Sequence, residues 1–273
     1  MQNIGLSHFP AVMKLLLARI IISAVMISVL LLKCHSMEII GGKDVPAHTK
    51  QYMALLRMHN KSNNKMHLCG GALIKPQWIL TAAHCLWKQW TSKEVMVYLG
   101  SVNNPFTITK NYDGTVFEVQ GAYLHPEYQK LPEHDLALIK LKKPASPGKD
   151  IAVLNLPENS DDVKPGTLCN VAGWGMTGSD YTISPVLQAV DIHIIERKKC
   201  RLLYEDKITE NTLCADDKNK DACLGDSGGP LICDGIYRGI VSWGAQKCGT
   251  APTVYVRLTD MHLQWIHKTT GHN

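Results

Sequence analysis

The 273-residue chain is 45% hydrophobic and 19% charged, with 21 Gly, 13 Pro and 9 Cys; this ordinary globular usage excludes a disordered, collagenous or coiled-coil protein. The length suits one large domain or two fused halves. A net charge of +5 is too small to point to a nucleic-acid partner.

Residues 1–36 read as a signal peptide outside the fold. From Met13, basic Lys14 leads into the apolar run 20–32, and small Cys34 and Ser36 mark cleavage after Ser36. Met13-Lys14 reads as a natural start, with residues 1–12 as an upstream extension. The stretch 15–32 approaches spanning length, but Arg19 interrupts it and no second such run follows, which favours secretion over an anchor. Met37-Glu38 is then a dipeptide ahead of a domain placed at 39–271. Losing Lys14, Arg19, Lys33 and Glu38 with the leader takes the net charge to +3. Cys34 leaves too, so Cys69, Cys85, Cys169, Cys200, Cys214, Cys223, Cys233 and Cys248 remain. An even set in a secreted chain reads as disulfides, and spacing alone does not choose among the pairings. No C-x-x-C pair or His-x-x-x-His cluster suggests zinc.

Short β-favouring runs follow at 53–56, 71–80, 94–99, 136–141, 168–172, 187–195, 230–233, 237–243 and 254–258. Turn residues separate them, among them Asn103-Asn104-Pro105, Asp113-Gly114, Lys164-Pro165-Gly166 and Asp234-Gly235. Many short strands at this spacing argue for a sandwich or barrels. The one clear helical signal is at the end, where Asp260 caps a helix with Leu263, Trp265 and Ile266 near one face.

Three segments carry chemistry. Thr81-Ala82-Ala83-His84-Cys85 puts a histidine at the end of an apolar strand. Asp135 precedes the run Leu136-Ala137-Leu138-Ile139, at the edge of a core. Gly225-Asp226-Ser227-Gly228-Gly229-Pro230 sets a serine in a glycine-rich turn whose N–H groups can face a substrate. Singly, the histidine reads as a packed residue, the aspartate as a cap and the turn as a tight loop. Together they supply what acyl transfer needs: a hydroxyl nucleophile, an imidazole to take its proton and a carboxylate to orient the imidazole. The N–H groups of Gly225 and Ser227 can serve as oxyanion donors.

On TAAHC, DLALIKL and GDSGGP, with CNVAGWG, VSWG and Ile39-Ile40-Gly41-Gly42, the chain resembles the chymotrypsin-like serine protease family from Ile39 to about Lys268. The resemblance implies two six-stranded antiparallel β-barrels with the site in the cleft between them. It also implies the pairs Cys69–Cys85, Cys169–Cys233, Cys200–Cys214 and Cys223–Cys248. Within the family the chain resembles the granzyme A and granzyme K branch, because acidic Met37-Glu38 stands where digestive trypsins have Lys or Arg. By the same resemblance, the freed ammonium of Ile39 inserts beside Asp226 and orders the oxyanion loop.

The resemblance further implies a pocket. Asp221, six residues before Ser227, matches the trypsin-like floor, though Asp216, Asp217, Lys218 and Lys220 offer a plainer reading as loop charge. Tyr204, Ser242, Gly244 and Tyr255 stand where such pockets have these residues, and Ala222 and Trp243 complete the substrate-binding set. Thr253 departs from the pattern, replacing glycine in Pro252-Thr253-Val254-Tyr255. Its branched side chain is expected to narrow the slot or hydrogen-bond Asp221, turning a weak tryptic activity toward Lys over the wider guanidinium of Arg. Two other departures matter. The loop 100–114 lacks the paired acids of a trypsin calcium site, so no metal is expected, and 125–134 lacks the extra cysteine of granzyme A, so a monomer is expected. Asn60-Lys61-Ser62 is a glycosylation sequon. The basic clusters 140–143 and 197–201 are a solvated face or a contact for granule glycosaminoglycan.

The expectation is an all-β protein of two six-stranded antiparallel barrels, roughly 39–152 and 153–258, with a C-terminal α-helix at 259–270. Its function is that of a secreted or granule-stored serine endopeptidase cutting after Lys or Arg. His84 acts as base and then acid, Asp135 as its orienter and Ser227 as nucleophile, with no cofactor. The partners are protein substrates, serpin-type inhibitors and granule glycosaminoglycan, with no nucleic acid and no membrane anchor. An elastase-like or Lys-restricted protease shaped by Thr253 is one alternative. A catalytically silent glycosaminoglycan- or cell-binding homologue is the other.

Overall fold

In chain order a short strand, β1 (Lys43–Asp44), precedes six that close on themselves. These are β2 (Met53–Asn60), β3 (Lys65–Lys75), β4 (Trp78–Thr81), β5 (Val95–Leu99), β6 (Thr115–Leu124) and β7 (Ala137–Leu141), joined antiparallel in the ring β2-β3-β4-β7-β6-β5. The computed structural model describes residues 41–60, 64–86, 90–107, 112–128, 132–177, 182–218, 220–245 and 248–271. The chain divides between Ser36 and Met37 into two compact units, and every described residue belongs to the second. The signal peptide, Cys34, Met37-Glu38 and Ile39 therefore lie outside the described residues, as do the Asn60 side chain and Lys61-Ser62.

Successive strand side chains point to opposite faces, and β2 uses both. Ala54, Leu56 and Met58 enter the barrel with Leu73, Leu80 and Leu138. Met53 and Leu55 turn outward onto Ala172, Trp174 and Leu187 of the second half. One strand thus fills its own barrel and joins it to the next.

The second ring contains β8 (Leu168–Gly173), followed by the small hairpin β9 (Met176–Thr177) and β10 (Thr182–Ile183), then β11 (Gln188–Ile195), β12 (Thr212–Asp216), β13 (Pro230–Cys233), β14 (Ile236–Trp243) and β15 (Thr253–Arg257). Leaving out the hairpin, the order β11-β12-β15-β14-β13-β8 closes through β8 with β11, while β1 adds to β11 from outside. Val171, Ile192, Leu213, Leu231 and Tyr255 fill this barrel. Disulfides join Cys69–Cys85 in the first half and Cys169–Cys233, Cys200–Cys214 and Cys223–Cys248 in the second. Two helices, α1 (Arg197–Tyr204) and α2 (Asp260–Thr270), complete the described elements with short 3-10 turns. Leu263 and Ile266 of α2 join the core cluster that holds the first barrel's leucines. Burying each contributes about 1.5–3 kcal/mol.

The structure departs from the sequence expectation in several places, among them β12 and the short β1, β9 and β10, which no expected run covers. The run 71–80 is two strands, because Pro76-Gln77 turns the chain between β3 and β4. Strand β6 went unseen because most of its side chains are exposed and no apolar alternation marks it. Helix α1 went unseen because only Cys200 is buried, and Leu202 and Leu203 face solvent. The N-cap of α2 is Thr259, not Asp260, which is the first helical residue.

Candidate active site

Strand pairing carries the first two site residues together. Thr81, the last residue of β4, pairs with Ala137, the first of β7. The chain leaving β4 turns at Ala83–Cys85 with His84 at its centre, and the chain entering β7 brings Asp135 to the same barrel end. Asp135 is only 3% exposed, so its carboxylate needs donors. His84 supplies two: its Nδ1 lies 2.7 Å from Oδ2, and its backbone N–H donates to Oδ1 at 2.7 Å. Ser242 supplies the third, its hydroxyl donating to Oδ2 at 2.5 Å. Ser242, expected in the substrate pocket, is thus directed to Asp135. It sits where the β14–β15 register shifts between Val241 and Trp243, and a bulge re-aims a side chain in this way. Burial pulls the His84 imidazole toward its neutral form, but the hydrogen bond and charge of Asp135 outweigh that and hold its pKa above the ordinary histidine value.

Ser227 reaches this end from the second barrel. The Gly70 N–H of β3 donates to its carbonyl at 2.8 Å, and Gly228 N–H donates to Val241 at 2.8 Å. Two glycines are required here. Gly228 has φ +84°, and a Cβ on it would strike Thr81 and lie 2.5 Å from the Gly70 carbonyl. Gly225 has φ +102°, and a Cβ there would come within 2.9 Å of Gly175. Among the described residues, neither the Gly225 nor the Ser227 N–H has an acceptor. Between them Asp226 is fully buried, accepting from Gly175 N–H at 2.8 Å and Cys223 N–H at 2.9 Å. Burial dominates and pushes its carboxyl up to about 7, against the pull of those two amides.

A third buried carboxylate, Asp221, is 5% exposed. It accepts from the Thr253 hydroxyl on one oxygen and from Gly249 N–H at 2.6 Å on the other. Burial again raises its pKa, opposed by those hydrogen bonds. Thr253, the first residue of β15, also faces Gly244: a Cβ on Gly244 would lie 3.6 Å from the Thr253 hydroxyl. Of the two expected effects of Thr253, the hydrogen bond to Asp221 is present. Ala222 and Tyr255 are buried, the Tyr204 hydroxyl donates to Pro252 at 2.8 Å, and Tyr204 meets Trp243 edge to face at 4.8 Å.

Cys69, His84 and Cys85 bring potential ligand atoms within 4.8 Å of one another, but both sulfurs are in a disulfide and offer no thiolate. The basic clusters are partly matched within the protein. Arg197 donates twice to Asp162 at 2.6 and 2.7 Å, and Lys142 pairs with Glu118 at 2.7 Å. The amides of Gly175, Cys223 and Gly249 escaped sequence reasoning, since every residue but proline has an N–H. Among the described residues no helix is long and apolar enough to cross a membrane.

A family model described as Trypsin matches residues 39–266. Mast cell protease 3 of Ovis aries is 39% identical over 236 residues, covering 85% of this chain and 89% of that protein. Granzyme A of Bos taurus is 40% identical over 241 residues, covering 85% and 87%. Neuropsin, a serine protease expressed in the limbic system of mouse brain, superposes with a TM-score of 0.72 at 32% identity over 84% of this chain and 99% of its own. With both barrels inside the matched span and relatives covered over most of their length, the chain belongs to the trypsin family and is a serine endopeptidase.

Proposed function

We propose that the protein is a secreted, granule-stored endopeptidase that cuts after basic residues and favours lysine. The observation that carries this is Asp221, a buried carboxylate beside Gly244 and Thr253 with no side-chain cation among the described residues. A lysine ammonium entering from the substrate supplies the missing charge, and an apolar side chain leaves it unmatched. The Thr253 hydroxyl already holds one oxygen, and its branch takes width that a planar guanidinium needs. The likeness to granzyme A and mast cell protease 3 supports storage in granules.

In the chemical step, His84 takes the hydroxyl proton of Ser227 as the oxygen attacks the scissile carbonyl carbon. Asp135 holds the resulting imidazolium in place through Nδ1. The carbonyl oxygen becomes an oxyanion and meets the N–H groups of Gly225 and Ser227, each worth about 2.7–4 kcal/mol in the transition state. His84 then gives its proton to the leaving amine, the C–N bond breaks, and water repeats the sequence on the acyl-enzyme. Cutting after Glu38 frees the Ile39 ammonium, which neutralises Asp226 and orders the Gly225–Ser227 turn. Serpin-type inhibitors, which present a substrate-like loop, fit the same cleft.

The test is hydrolysis of matched peptide esters that differ only in Lys, Arg, Met or Ala before the cut, with protein beginning at Ile39 and Ser227→Ala as blank. Cleavage after Lys, with Arg slower and the blank inert, is expected. Cleavage only after Met or Ala would overturn the role of Asp221 and keep the nucleophile.

A further inference from the structure

A second cluster of titratable side chains lies behind Asp135. His125 follows β6, His134 ends the 3-10 turn Pro132–His134 that delivers Asp135, and His262 belongs to α2. All three are buried. The rings of His125 and His134 stack at 5.2 Å and 16°, His262 stands edge-on to both at 5.3 Å, and Trp265 closes on His125 at 5.0 Å.

The partners of these rings leave one arrangement of protons. His262 Nδ1 lies 2.8 Å from the Arg257 carbonyl, which has no proton to give, so Nδ1 carries one. The Thr259 amide, 3.3 Å from the same atom, is then a close approach rather than a bond. As a neutral ring, His262 presents a lone pair on Nε2. His134 Nδ1, 3.0 Å away, must therefore donate to it. The other nitrogen of His134 faces a Glu127 carboxylate oxygen at 3.2 Å. His125 accepts the Glu127 N–H on Nδ1 at 3.3 Å and is neutral. Burial, the largest influence on each, takes His262 down to about 3 and His125 to about 4.

We propose that His134 is a positioning residue for Asp135, donating from its ring to His262 on α2, so that the aim of Asp135 depends on docking of the C-terminal helix. The proposal rests on the reading of His84, Asp135 and Ser227 as the catalytic set. The backbone on both sides of Asp135 is pinned by the same cluster. Leu136 N–H donates to the His134 carbonyl at 2.8 Å, and His125 N–H donates to the Leu136 carbonyl at 3.0 Å. With His134 held at its ring and Leu136 at its carbonyl, little freedom remains for the carboxylate between them. Displacing it would loosen the contacts to His84 and Ser242 without touching the substrate pocket, which lowers kcat and spares KM.

The experiment compares His134→Ala, His134→Gln and Glu127→Gln in protein beginning at Ile39. Turnover of a lysine ester is read with each, and ring-proton NMR is recorded on all forms in the Ser227→Ala background. His134→Ala should lower kcat about tenfold with KM changed less than about twofold, and His134→Gln, which can still donate to His262, should recover most of the loss. The unsubstituted chain should show a proton on Nδ1 of His134, and Glu127→Gln should keep it with wild-type kcat. Unchanged kcat in folded His134→Ala, a loss confined to KM, or no proton on His134 Nδ1 in the unsubstituted chain would each overturn the proposal. Should His134→Ala not fold, the ring-proton result decides: a proton on His134 Nδ1 supports the proposal and a bare Nδ1 overturns it. Activity surviving in Ser227→Ala would overturn the catalytic reading instead, and the ring-proton result would still stand by itself.

Discussion

The first barrel buries one site aspartate and the second buries two, and the two halves treat them oppositely. Asp135 has its oxygens engaged by a histidine ring, a backbone amide and a hydroxyl, so its charge is matched inside the fold. Asp221 and Asp226 receive only a hydroxyl and backbone amides, and burial lifts the pKa of both. The difference teaches how the labour is divided. Asp135 is matched by donors from both halves, whereas the second half keeps two anions with no cation beside them among the described residues; in the proposed function a substrate side chain serves Asp221 and a new chain terminus serves Asp226.

The largest test of this contrast removes the matched charge. Asp135→Asn should lower kcat/KM about 10⁴-fold, because the amide reverses the tautomer required of His84. The acid limb of any residual activity should also move down in pH, since the Asp135 charge is what raises His84. A loss below about tenfold would break the contrast on its first side.

The next test concerns Asp226 in chain that retains Met37-Glu38. Its pKa in the fold, about 7, exceeds the ordinary 3.8, so the folded state holds more protons between those values and stability falls as pH rises across them. Urea denaturation of the precursor at pH 4.5 and 7.5, in the Ser227→Ala background, should reveal a drop of about 3 kcal/mol. Chain beginning at Ile39 should lose much less. Equal pH slopes for the two forms would mean that the terminus is not the awaited cation.

Asp221 is sharpened by Thr253→Gly. Freeing the carboxylate and the slot should raise kcat/KM for Arg relative to Lys about tenfold or more. No change in the ratio of arginine to lysine ester hydrolysis would exclude Thr253 as the filter. Ser242→Ala removes one of three donors to Asp135 and should destabilise the protein by about 1.5–3 kcal/mol in urea titration. A neutral result would show that the histidine contacts suffice.

Much of this division was legible before any coordinates. The three catalytic segments stand out because each combines a reactive side chain with an unusual local setting, such as a serine among glycines or a carboxylate entering an apolar strand. The barrels were legible in part. β7 and β14 announce themselves by apolar content, whereas β6 is paired on both edges yet mostly exposed, and edge pairing leaves no mark on composition. The disulfide partners were settled by family likeness, not spacing. That the Ser242 hydroxyl turns to Asp135 was not legible, because a one-residue bulge decides which way it points and no residue type encodes that bulge. His125, His134 and His262 gave no signal either, since only the folded path from β6 through the turn to α2 gathers them.

All four disulfides lie within one half of the molecule or the other. The exposed stretch 146–149 separates His84 and Asp135 on one side from Ser227 on the other. A single nick there yields two polypeptides, each stapled internally and each chemically incomplete. Noncovalent packing, such as that of Met53 and Leu55 on Ala172, Trp174 and Leu187, would then be all that holds His84 and Asp135 to Ser227.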